Sequence, residues 1–370
     1  MRNTYALINL SNLEHNIKEI IKNYSYEYYF GVVKANAYGH GLETIKVMDK
    51  AGINYFCTAT LEEAIDVRKH TKKPILCFGY VNTSDIELVI KNDITLSIIS
   101  YDYFKELIKV NPKIKVHLKI NSGMNRFGIK NKNEVLEIVN EIKKSNMKLE
   151  GIYTHFATSG VSDIYYDQQV SNFEEITSLI NLRDIKIVHL FNSISTARHK
   201  KLAYANGIRL GLMMYGFTFK MNIGKLTKLK RKLFYKNISE TMLTNNLNLK
   251  KVLSLHSEVI NINKLTKGEF VGYGAAHIAT KDELIAIVSI GHADGVTPCY
   301  KRVQINKKVY PIVAVCMDYI MVKVDNKVKV HDKVDLISDE ITIGKDIVGD
   351  NPHHILVSIG NRVPRKYEVK

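Results

Sequence analysis

A (β/α)8 TIM barrel followed by a C-terminal mainly-β domain is the α/β architecture these 370 residues predict, and three features predict it. Short apolar runs begin near Tyr28, Asn54, Pro74, Ile94, Ile114, Leu149, Ile185 and Ile208, with helix-like stretches between them, as repeated βα units require. From about Val252 the texture changes to strand-like segments with no long amphipathic helix. The length, with 45% hydrophobic residues, suits one large domain plus a smaller one.

Taken in order, Ser11-Asn12-Leu13-Glu14 reads as a capping box that opens a helix with Leu13, Ile17, Ile20 and Ile21 on one face. The apolar run at 28–33 is the first barrel strand and delivers Lys34 into a glycine-containing loop. Thr60-Leu61-Glu62-Glu63 is a second capping box, after the strand near Asn54. Barrels of this kind gather their reactive groups at strand C-termini. Those positions hold Lys34 after the first strand, Lys119 and Arg126 around the fifth, His155 after the sixth, Asn192-Ser193 after the seventh, and Arg209 with Gly211 near the eighth. Loops after the seventh and eighth strands commonly bind phosphate, and Ser193, Gly211 and Leu212 suit that role. The β domain is expected to contain strands at 252–262, 284–290, 303–313, 319–324 and 355–359, with a turn at Asp325-Asn326. The predicted domains are 1–235 and 236–370, with the first few residues free to pair with the β domain.

The net charge of +16 invites a nucleic-acid partner. Its distribution argues against one: lysines alternate with acidic residues, Trp is absent, and no RNA-binding strand or zinc-finger spacing occurs. The one dense basic segment, 220–236, reads as a solvated insertion. Cys57, Cys77, Cys299 and Cys316 lack any Cys-x-x-Cys pair, which fits neither a zinc site nor a disulfide framework and points to a reducing cytoplasm. No histidine grouping has metal-ligand spacing, and no apolar run has secretory or membrane-spanning length. A soluble, cytoplasmic protein without a metal is the expectation.

Lys34 has two readings on its own: a strand-end lysine that snorkels to solvent, or a poorly hydrated amine able to form a Schiff base with an aldehyde. The residues around it favour the second. Val33-Lys34-Ala35-Asn36-Ala37-Tyr38-Gly39-His40-Gly41 resembles the cofactor-lysine motif of the alanine racemases, which use pyridoxal 5'-phosphate (PLP) on a barrel scaffold. The resemblance extends over almost the whole chain. It continues through the segments 118–128 and 149–157, Asn192-Ser193, Ile208-Arg209-Leu210-Gly211, Gly272-Tyr273-Gly274, Gly291-His292-Ala293-Asp294-Gly295, Cys316-Met317-Asp318 and Arg362-Val363-Pro364-Arg365.

The resemblance implies a fold type III PLP enzyme that interconverts L- and D-alanine, supplying D-alanine for peptidoglycan. Lys34 would hold the cofactor and serve as a base on one face of the substrate Cα. Tyr273 would work on the opposite face, contributed by the partner subunit of a homodimer with composite sites. An ordinary phenol, with a pKa of ~10, needs cationic help to act as a base; His155 and Arg209 match the relay positions behind the tyrosine. Arg209 would also face the pyridine nitrogen as a permanent donor. Arg126 and the Met317 main-chain N–H would take the substrate carboxylate, and Lys119 matches a lysine that is carbamylated in some relatives. Tyr38, Asn192, Ser193, Gly211, Leu212 and Asn361 complete the implied cofactor set.

Departures from the family pattern are His292 in place of Tyr, Val313-Ala314 in place of Gly-Arg, Asn361 where many members have Tyr, and Asn121 in place of Asp. The first three lie at the implied substrate entrance and motivate a serine or broader amino-acid racemase as the alternative. A barrel-only PLP carrier is a further class, which the β domain argues against.

Overall fold

The computed structural model describes residues 2–158, 163–217 and 247–369. The expected domain boundary at 235/236 and the basic segment 220–236 lie outside the described residues. The chain forms two compact units: a barrel unit of Glu14–Ala37 and Leu42–Leu249, and a β unit of Met1–Leu13, Tyr38–Gly41 and Lys250–Lys370.

Strand β1 (Tyr5–Asn9) belongs to the β unit. The barrel consists of β2 (Tyr28–Val32), β3 (Tyr55–Thr58), β4 (Ile75–Cys77), β5 (Ile94–Ile98), β6 (Lys115–Lys119), β7 (Lys148–Tyr153), β8 (Ile187–Asn192) and β9 (Gly207–Leu210). They close in chain order as a parallel ring, β9 returning to β2 with Ile208 opposite Tyr29. All eight coincide with the predicted runs. The interior is filled by an aromatic stack: the Phe30 ring lies 4.6 Å from Tyr55 and 4.4 Å from His189, and His189 lies 4.7 Å from Tyr153. Such a stack fills the tapering barrel with few rotatable bonds.

The first helix, Leu10–Asn23, begins earlier than the capping box predicts. Asn9 Oδ1 accepts the Asn12 N–H at 2.8 Å, so Asn9 rather than Ser11 satisfies the first turn. Leu13, Ile17 and Ile20 form its buried face. The second box is half realised: Thr60 Oγ1 accepts the Glu63 N–H at 3.3 Å, while the Glu63 carboxylate is used elsewhere.

The β unit holds an eight-stranded sheet, in which β1 pairs antiparallel with β10 (Leu253–Leu265) and parallel with the strand Arg365–Glu368, and a separate two-stranded ribbon of Phe270–Val271 and His277–Ile278. The expected strand 303–313 is instead two strands, Arg302–Ile305 and Lys308–Val315. Asn306 and Lys307 adopt positive φ (49° and 65°) and make the tight hairpin between them. The expected strand 355–359 falls mostly in a helix, Pro352–Ser358. Asn351 Oδ1 accepts the His354 N–H at 3.0 Å and Pro352 occupies the first helical position, two start signals that outweigh a short apolar run. Among the described residues, no helix is long and apolar enough to cross a membrane.

Candidate functional site

The residues after Lys34 make a left-handed turn. Ala35, Asn36, Ala37 and Tyr38 have φ of 51°, 53°, 53° and 52°, and the Ala37 N–H closes the turn onto Val33 O at 2.8 Å. Left-handed backbone costs a non-glycine residue roughly 1–2 kcal/mol, so the turn must be held from outside. Glu63 holds its start: Oε1 accepts the Ala35 N–H and Oε2 the Ala59 N–H, each at 2.7 Å. Its end lies in the β unit, where Arg365 Nε donates to Gly39 O at 3.0 Å. A Cβ on Gly39 would stand 2.2 Å from Leu356 O, so no side chain fits there. Tyr38 is buried, with its ring 5.5 Å from that of His353.

Lys34 is half-buried, and burial, followed by the Arg126 charge, lowers its pKa; Glu63 and Cys57 oppose the shift. Lys119 is only 5% exposed, and burial, then Arg126, Arg209 and Lys34, bring it down to about 7. Its ammonium sits 5.4 Å from the Phe127 ring centre and 5.6 Å from that of Tyr153. Arg126 is exposed, on a loop that Asn121 shapes by accepting the Gly123 and Asn125 N–H groups at 3.3 and 3.0 Å. An amide oxygen suffices for that task, so the Asp-to-Asn departure preserves the loop.

Arg209 is buried at the eighth strand end, and burial lowers its pKa to about 10. Nη2 donates to Thr154 O at 2.7 Å and Leu190 O at 3.0 Å and lies 3.4 Å from His155 Nδ1. Nη1 donates to His189 O and meets His189 Nδ1 at 2.9 Å. His189 Nε2 in turn meets His117 Nδ1 at 2.9 Å, and His117 Nε2 lies 3.6 Å from Glu150 Oε2. A guanidinium only donates, so His189 must accept at Nδ1 and donate from Nε2, which makes His117 accept at Nδ1. Both imidazoles are thus held in the Nε2–H tautomer, with the last N–H directed toward Glu150. Burial keeps His117, His155 and His189 neutral by lowering their pKa values, and Arg209 adds to each shift. Burial works to raise Glu150, but His117, the Tyr55 hydroxyl at 2.9 Å and Lys186 leave it at about 2.

At the seventh and eighth strand ends, Ser193 Oγ accepts the Gly211 N–H at 2.9 Å. Asn192 is committed to the backbone: Oδ1 accepts from Ile194 and Ser195 at 3.0 Å, and Nδ2 donates to Phe156 O at 3.3 Å. The N–H groups of Leu212 and Met213, buried at the start of a turn, have no partner among the described residues. Buried N–H groups without partners are rare and mark a place for an anion. With Lys34, Lys119, Arg126 and Arg209 at the same end of the barrel, the residues fit a cofactor bearing an aldehyde and a phosphate.

Tyr273, Met317 and Asn361 belong to the β unit and are all exposed, Tyr273 by 84%. Tyr273 stands on a short turn between the two-residue strands Phe270–Val271 and His277–Ile278. Gly272 before it has φ 83°, and a Cβ there would meet the Ala314 Cβ at 2.7 Å, so the small residue at 314 packs directly under the turn. His292, exposed, is tied through Nδ1 to Val296 O at 2.9 Å.

The sequence-family models "Alanine racemase, N-terminal domain" and "Alanine racemase, C-terminal domain" match residues 8–218 and 252–367. Alanine racemase of Ligilactobacillus salivarius is 32% identical, with 99% of this chain and 98% of that protein covered. The chain belongs to the alanine racemase family. It is a PLP-dependent racemase, an isomerase. Alanine racemase of Listeria monocytogenes serotype 4b (strain F2365) is 34% identical over 91% of this chain and 90% of its own. Among solved structures, alanine racemase of Clostridium difficile 630 superposes with a TM-score of 0.86 at 33% identity, covering 100% of this chain and 96% of that one. The Bacillus anthracis alanine racemase with bound L-Ala-P gives 0.86 at 30% identity, covering 100% and 95%.

Within this alanine racemase fold, sequence reasoning did not single out Glu63, His117, Glu150 or His189 as parts of the site. A signal existed for the last three, each a polar residue inside an otherwise apolar barrel strand. For Glu63 there was none beyond its place in a helix cap.

Proposed function

We propose that the chain interconverts L- and D-alanine with PLP held at Lys34, by moving protons at opposite faces of the substrate Cα with the Lys34 amine and the Tyr273 hydroxyl. The observation that carries this reading is Lys34 itself, half-buried with a lowered pKa at the barrel end where three further cations gather with two amides that have no partner among the described residues. Bound PLP supplies an electron sink that acidifies the Cα–H of an amino acid joined to it through the amine.

The chain's own residues account for the rest. Leu212, Met213, Ser193 and the turn capped by Asn192 would seat the phosphate, joined by Tyr38 and Asn361. Arg209 would aim a permanent donor at the ring nitrogen; its two Nη atoms are occupied, which leaves Nε for that bond. Neutral His155 beside Arg209 can pass hydrogen-bond polarity toward the tyrosine. Arg126, with the Met317 N–H, would bind the substrate carboxylate. Lys119, at about 7, holds a large neutral fraction near physiological pH, and a neutral amine can take up CO2 as a carbamate. In that reaction the amine nitrogen would bond to the CO2 carbon and release one proton to solvent, leaving a carbamate anion as a counter-ion for Arg126.

Tyr273 would reach the substrate from a second copy in an isologous homodimer. Its 84% exposure, with Phe270, Ile278 and Met317 also open, supports this, because such surface favours a partner. Alanine is preferred over serine because the relatives named above are alanine racemases. The role follows: a cytoplasmic supply of D-alanine for peptidoglycan. Absorption spectra before and after borohydride, mapping of the modified lysine, and chiral product analysis with alanine and serine test this. Label on a lysine other than Lys34, or a higher kcat/KM with serine, overturns the respective part.

A further inference from the structure

We propose that Glu63 is a positioning residue for the reaction: its carboxylate holds the left-handed turn that follows Lys34 and so sets where the lysine amine is delivered. The proposal rests on the reading of Lys34 as the cofactor-bearing lysine. Four consecutive non-glycine residues at φ 51–53° are costly by themselves, and Ala35, the first, directly follows the reactive side chain. Its N–H has one short bond, to Glu63 Oε1 at 2.7 Å. The other oxygen takes the Ala59 N–H, also at 2.7 Å, in the segment leaving β3.

One carboxylate therefore bridges the loops after two neighbouring barrel strands. Its own backbone is fixed in turn by the Thr60 cap. An N3 glutamate in a capping box ordinarily reaches back to the N-cap N–H. Here the side chain gives up that bond for Ala35 and Ala59. Charge-assisted bonds to N–H groups are among the stronger ones available, which suits a turn that must not relax.

The carboxylate has a second effect through space. Around Lys34, Arg126 works with burial to lower its proton affinity, Lys119 and His155 stand in the same cluster, and Glu63 and Cys57 act the other way. Glu63 thus moderates the depression while anchoring the turn.

Glu63→Gln removes the charge and one acceptor, and Glu63→Asp keeps the charge but withdraws it by a methylene. Three readouts serve: steady-state kinetics, the pH dependence of reductive methylation at Lys34 in cofactor-stripped full-length protein, and borohydride mapping of the holoenzyme. In Glu63→Gln, kcat/KM is expected to fall about tenfold or more with KM within about twofold, and the Lys34 amine pKa to drop below its native value because the opposing Glu63 charge is gone. In Glu63→Asp the amine pKa should stay near native while kcat falls. Native kinetics and native amine pKa in Glu63→Gln, with only a lower thermal midpoint, overturn the proposal. Should Glu63→Gln not fold, native kcat in Glu63→Asp overturns it. Borohydride label on a lysine other than Lys34 refutes the underlying reading instead, a separate failure.

Discussion

Lys34 and Tyr273 stand in opposite surroundings. The lysine is half-buried at a barrel strand end, with Arg126 and Lys119 in its field and its turn tied to Glu63 by a 2.7 Å bond. The tyrosine is 84% exposed, on a turn flanked by glycines at φ 83° and 65°. The barrel builds the surroundings of its own lysine, since the neighbouring charges, Arg126 on a loop and Glu63 on a helix, belong to the same unit. The tyrosine is left open to a second surface. Racemisation by two bases would need both kinds of site, one made by the fold and one completed by assembly.

The largest expected effect removes the first side of that contrast. Lys34→Ala should lose cofactor absorbance on gel filtration and racemise below detection; a cofactor retained on another lysine breaks the comparison. Tyr273→Phe should keep the absorbance and the Lys34 label yet lose about 10^2 to 10^4-fold in kcat. Mixing the two variants sharpens the contrast further. Random mixed dimers should regain about a quarter of native activity, because half are hybrids and each hybrid has one intact composite site of two. No recovery on mixing, with dimers confirmed by ultracentrifugation, would locate both groups in one chain.

Smaller effects probe the barrel side alone. Lys119 has a folded pKa of about 7 against an ordinary 10.5, so the folded protein binds fewer protons than the unfolded chain between those values. Stability from this group therefore rises with pH across that window, and the burden is greatest below pH 7. Lys119→Met in CO2-free buffer should gain roughly 1–3 kcal/mol at pH 6, fading toward pH 10. Thermal melts read this as ~2–4 °C per kcal/mol for a 150–250-residue unit.

Glu150 runs the opposite way. At about 2 against 4.5, its contribution is present above the ordinary value and lost as pH falls toward 2. Glu150→Gln should cost about 2 kcal/mol at pH 7 in denaturant titrations, the gap to native closing toward pH 3. A constant gap across that range would remove Glu150 from the Arg209 chain.

Much of this was legible in the residues. All eight barrel strands sit at the apolar runs, because strands buried on both faces must be apolar along their length. The positions of Lys34, Lys119, His155, Asn192 and Arg209 at strand ends followed from that register. The β unit was less legible. The segment 303–313 hid a hairpin whose turn, Asn306-Lys307, carries no glycine, and 355–359 is too short for its period to separate strand from helix. In the site, the pairing of His117 with His189 was out of reach, since 72 residues separate them and neither has a local motif.

By itself, the sequence determined the alternation of strand and helix, the strand end that carries Lys34, and the order of motifs that place the chain in its family. Those are local or one-dimensional properties: period, turn chemistry and spacing. Only the tertiary structure decided that Ala35 to Tyr38 turn left-handed, that Glu63 leaves its helix cap to hold them, and that burial lowers Lys34 and Lys119. Each depends on groups brought together through space from distant segments, whose combined field and hydrogen bonds override what the local chain would choose.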